Sequence, residues 1–237
     1  MGGIPLAVPP LFALWTVFLW WSLTWNFPRS HVGFPDVTYR YMAVGATFLV
    51  VGSILIHEVL AVAAARLLGA RLPDRVVIGP CGGWQFTDDG STDPAAIRAE
   101  IVSAFCGPAI YMGLAMICLG LSFGLQPQIP NFLPTRAVLD MLAIVNSSLA
   151  VLNLLPGAPL DAGRVLSAIL RRSTGDPERA SGAARFGGTL IGLWLVGIGV
   201  AGLASFNALW SLWGVILGVA VLEGAQAPQR ADAPRDA

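Results

Sequence analysis

Two ionisable residues stand side by side in an otherwise apolar run, Ile54-Leu55-Ile56-His57-Glu58-Val59-Leu60-Ala61. Glutamate within hydrocarbon is costly, and even a neutral histidine brings polar atoms that need partners, so the pair is a functional candidate. The plainer alternative is a polar pair satisfied by neighbouring helices or by the interface. Much later, Asn153-Leu154-Leu155-Pro156-Gly157-Ala158-Pro159-Leu160-Asp161-Ala162-Gly163-Arg164 offers a further carboxylate at Asp161. Its two prolines and two glycines break regular helix, and broken backbone at membrane depth is tolerated only where it is buried in protein or lines a wet cavity. The alternative for Asp161 is an N-cap of a short helix from Ala162 to about Arg172.

The elements around these residues must be membrane helices. Of 237 residues, 55% are hydrophobic and 12% charged, at a mean hydropathy of +0.69. One water-soluble core could not hide that balance. The sequence predicts an all-α polytopic membrane protein with about six spans, at 10–25, 41–68, 99–124, 137–155, 187–205 and 208–223. Met1 to Trp25 lacks a basic start and a small-residue cleavage site, and is read as a retained first span.

The basic residues, 14 in all, are arginines. Arg29, Arg40 and Arg136 fall on one side of the expected spans and the others on the opposite side, which places both termini in the cytoplasm. Zero net charge without a basic run argues against a nucleic-acid partner. In the loop after the second span, Arg75 to Ile78 and Gly83 to Thr87 read as a small β-hairpin at the membrane surface. Residues 1–223 form one membrane-embedded domain in this reading, and Gly224 to Ala237 a disordered cytoplasmic tail.

Taken together, the His57-Glu58 and Asn153-to-Asp161 segments resemble the site-2 proteases, whose members carry HExxH on one transmembrane helix and an NxxPxxPLDG-type motif on a later one. Asn153, Pro156, Pro159, Leu160 and Asp161 match the second motif, with Ala162 where the family prefers glycine. Cys81-Gly82-Gly83 resembles the family's glycine-containing surface segment, and Gly107-Pro108 its Gly-Pro pair. The resemblance implies a bacterial-type integral membrane protein that cleaves the transmembrane segments of membrane-protein substrates. It also implies a zinc ion held by His57 and Asp161, Glu58 as general base, and Asn153, Pro156, Pro159, Gly82 and Gly83 in supporting or substrate-binding places.

The chain departs from the pattern at one ligand. Two histidines one helical turn apart would face the same zinc, but the position four after His57 is Ala61. Two protein ligands remain where a catalytic zinc usually has three plus water. Tyr111 stands where many members have asparagine, a lesser departure. Cys81 and Cys106 are chemically able to replace a ligand, although buried cysteine most often acts as a small hydrophobe; with Cys118 they are too few and too irregularly spaced for a disulfide framework. Two readings follow, an intramembrane metalloprotease and a pseudoprotease that binds transmembrane helices. A proton or ion path through the same polar residues is a third, with nothing specific in its favour.

Overall fold

The computed structural model describes residues 6–8, 10–69, 76–79, 82–85, 91–125, 132–205 and 208–226. Seven helices account for most of them: α1 (Pro10–Ser30), α2 (Asp36–Leu67), α3 (Pro94–Gly124), α4 (Leu133–Asn153), α5 (Asp161–Thr174), α6 (Pro177–Ser205) and α7 (Ala208–Gln226). By length and apolarity, α2, α3, α4 and α6 are able to cross a membrane. The expected count of six also includes α1 and α7. The described apolar run of α7, Ser211–Gln226, is shorter, and α1 carries Trp15, Trp20, Trp21 and Trp25, a residue type enriched at membrane–water interfaces.

Helix ends follow local chemistry. Asp93 caps α3, its carboxylate accepting from the Ala95 and Ala96 amides. Gly175, at φ 71°, ends α5 in the left-handed conformation that suits glycine. Between α4 and α5 the chain is irregular from Leu154 to Leu160, with a cis Ala158-Pro159 peptide. Its amides are nonetheless satisfied: Gly157 N donates to Leu155 O at 2.9 Å, Ala158 N to Ala184 O of α6 at 2.8 Å, and Leu160 N to Gly157 O at 2.9 Å. This is the condition under which irregular backbone survives inside a membrane bundle.

Among the described residues three short strands form one sheet, and Ile78 of its central strand joins the main apolar core. β2 (Val76–Gly79) pairs antiparallel with β3 (Gly82–Gln85) in the register Gly79↔Gly82, and parallel with β1 (Leu6–Ala7). The first strand precedes the first span expected at 10–25, and α1 begins at Pro10, where that span is expected to start. Cys81, and with it the postulated cysteine ligand, lies outside the described residues, as do residues 227–237 of the expected tail. Gly224, Ala225 and Gln226, also assigned to that tail, are helical, and Ala225 is buried.

α3 is the central element, packed against α2, α4 and α5, while α6 joins α5 to α7. The main apolar core runs from Phe12, Trp15 and Leu19 of α1 through Ala43, Val50 and Ile54 of α2 to Tyr111 of α3 and Leu142 and Leu149 of α4. α5 is tied down by an ion pair, Arg171 to Glu100 at the start of α3, in which the arginine is 1% exposed. Removing one partner of a buried pair costs far more than replacing both. Arg171→Ala is therefore expected to destabilise the fold by about 3–5 kcal/mol. Glu100→Gln combined with Arg171→Met should recover most of that loss, as read by thermal unfolding in detergent.

Candidate active site

The sequence candidates His57 and Glu58 of α2 meet Asp161 of α5 in one buried cluster. His57 and Glu58 are each 2% exposed. The histidine lies between two carboxylates, with Nδ1 2.8 Å from Glu58 Oε1 and Nε2 3.5 Å from Asp161 Oδ2. Neither Nε2 nor Oδ2 has a hydrogen-bond partner, although both are buried. On its other side Asp161 Oδ1 is 3.9 Å from Arg164 Nη1, a loose contact within α5.

Asp161 is the first residue of α5 rather than its N-cap. Leu160 holds the cap position and no side chain caps the helix. The carboxylate is thus left to face α2. Two features of α3 fix the geometry. Gly107 leaves room: a Cβ there would fall on the Asp161 carboxylate and 2.7 Å from His57 Nε2. One turn along, the fully buried Tyr111 ring stacks on the His57 imidazole, with centroids 4.2 Å apart and planes at 11°. Sequence reasoning gives Tyr111 little weight, because a tyrosine in an apolar helix carries no sign of what it faces. Gly107 stands out in the sequence as part of a motif, without its role as the space into which two polar atoms fit.

Asn153 ends α4, buried, its Nδ2 donating to Leu149 O at 2.9 Å. Pro156 and Pro159 belong to the irregular segment, and Pro159 packs beneath Gly224 of α7. Gly82 and Gly83 lie in β3, the strand that packs against α2. His31 is apart from the cluster, next to Ser30 Oγ. The Cys106 thiol donates to Val102 O of its own helix.

Bonds of 2.0–2.2 Å in a tetrahedral zinc site separate neighbouring ligand atoms by roughly 3.3–3.6 Å. His57 Nε2 and Asp161 Oδ2, at 3.5 Å and without other partners, suit one edge of such a site. The set stops there. Ala61, buried one turn beyond His57, presents a methyl group. Among the described residues no three histidine, cysteine, aspartate or glutamate side chains are grouped to hold a metal ion. The described residues therefore do not complete a catalytic zinc centre.

Comparison with known proteins places the cluster in context. Residues 131–195, which contain the Asn153-to-Asp161 segment, match Peptidase family M50. The chain is 32% identical over 207 residues to "Putative zinc metalloprotease Rip3" of Mycobacterium tuberculosis, covering 85% of this chain and 51% of that protein. It is 28% identical over 231 residues to "Putative zinc metalloprotease sll0528" of Synechocystis, covering 96% and 58%. The chain thus spans little more than half the length of these curated relatives. The site-2 protease of Methanocaldococcus jannaschii shares the fold, with a TM-score of 0.66 at 21% identity, over 100% of this chain and 96% of that one. With a matching motif segment, zinc-metalloprotease relatives across most of its length and the site-2 protease fold throughout, the chain belongs to the site-2 protease family, Peptidase family M50, as a member with alanine in place of the second histidine of HExxH.

Proposed function

We propose that this chain receives a transmembrane segment of a membrane-protein client at the His57–Asp161 site and, with alanine at position 61, holds that segment without hydrolysing it. The observation that carries this reading is the facing pair of ligand atoms with no partner beyond each other, together with a buried alanine one turn after His57 on α2. The family supplies the class of partner, a membrane protein within the bilayer. Unwound backbone in lipid must find polar partners, and the irregular segment before Asp161 together with the buried polar cluster supplies groups of that kind. The arginine distribution supports six crossings with both termini cytoplasmic, in a bacterial cell membrane.

A hydrolytic reading has one observation in its favour. Glu58 is retained and buried against His57 Nδ1, the place of a general base. The two readings separate in vesicles containing the full chain and a single-span test helix with a central Asn-Pro break and a photo-crosslinking residue. Saturable cross-linking without a cleavage product is expected, and Glu58→Ala should capture the helix as well as the natural chain does. Cleavage that depends on Glu58 would establish hydrolysis instead, and failure to capture the helix would contradict the binding reading.

Gly107→Ala should weaken capture about tenfold, because the added methyl overpacks the Asp161 carboxylate and His57. Gly113→Ala on the same helix meets no atom within 4 Å and should leave capture unchanged.

A further inference from the structure

The irregular segment that delivers Asp161 rests on α6 backbone to backbone. Besides the hydrogen bond from Ala158 N to Ala184 O, the closest approaches are at Gly187 and Gly188. A Cβ on Gly188 would overlap the Ala158 carbonyl oxygen and lie 2.8 Å from its carbon; one on Gly187 would overlap the Pro156 carbonyl oxygen. The fit is reciprocal. A Cβ on Gly157 would meet Gly187 C and Gly188 Cα at 2.6 Å, and one on Gly163 of α5 would meet Ala158 N at 2.5 Å. In each case the obstacle is main chain, which cannot swing aside as a side chain does.

We infer that Gly187 and Gly188 of α6 are positioning residues for Asp161: they let the segment Pro156 to Ala158 seat directly on the helix, and so set how close the carboxylate comes to His57. Asp161 follows three residues after Ala158. Leu160, between them, is held in a small apolar cluster with Ala220 and Val221 of α7. With Leu160 fixed on one side, a methyl group at position 188 has to displace the segment or α6 itself. Either shift passes directly to the first residue of α5. The requirement is local, since a methyl group added at Gly182 or Gly197 of the same helix would meet nothing within 4 Å. Gly192, Gly199 and Gly202 of the same helix face α7 instead.

The test is a distance readout in the full-length chain, with its three cysteines replaced by serine. His57→Cys with Asp161→Cys is bridged by a short homobifunctional thiol reagent; Glu100→Cys with Arg171→Cys, bridged likewise in a separate protein, reports whether α5 stays docked on α3. Adding Gly187→Ala or Gly188→Ala should lower the yield of the first bridge about tenfold, as overpacking shifts the population, and leave the second unchanged. Gly182→Ala and Gly197→Ala should alter neither. Equal bridging in every variant would overturn the assignment. Parallel loss of both bridges would also overturn it, because the glycines would then serve the folding of the whole bundle. The approach of positions 57 and 161 is measured directly, so capture of a client helix can succeed or fail without affecting this result.

Discussion

A carboxylate that starts one helix faces the buried imidazole of another across 3.5 Å, and the packing around the pair permits that approach. Polar groups in a membrane bundle are expensive unless they are partnered or at work. The histidine is held at Nδ1 by Glu58 and on its face by Tyr111, while its Nε2 is left with only a distant neighbour. α3 sits between the two helices and yields at Gly107, where a single methyl group would push the pair apart. The break between α4 and α5 exists to bring Asp161 to this place, and α6 gives up side chains at Gly187 and Gly188 to accommodate it.

The same geometry explains what the site lacks. Two donor atoms at a tetrahedral edge distance can share a metal ion, but a hydrolytic zinc centre needs a third protein ligand and an open position for water. Ala61 is buried on the correct turn of α2, so the deficit is one of chemistry and not of helix placement. Family membership and fold are retained while the described residues leave the metal-binding set incomplete, the contrast on which the proposed binding role rests. Fold and activity are separable in this way because function resides in a site carried by the fold.

Much of this is legible in the sequence, for identifiable reasons. His57, Glu58 and Asp161 stand out because ionisable residues are conspicuous against apolar spans, and the clustered prolines and glycines announce the break. Four long helices follow from apolar length alone. What stays hidden depends on contacts between elements. Tyr111 reads as one more buried aromatic until its ring is seen on His57. Gly188 is indistinguishable in sequence from Gly182, although only the first faces main chain. β1 is not announced by the sequence, because two residues carry no period and become a strand only by pairing with β2. The start of the tail is misplaced in the sequence reading for a similar reason: Gly224 looks like a helix breaker, yet it lies in α7 against Pro159.

If the site is assembled but for one ligand, its metal content will show it. Zinc per chain should be measured on the purified natural protein and on Ala61→His, with Asp161→Ala added to each. The natural chain should hold far less than one zinc and Ala61→His one, which is lost when Asp161 is removed. A natural chain that holds one zinc, and releases it on Asp161→Ala, would show that no ligand is missing.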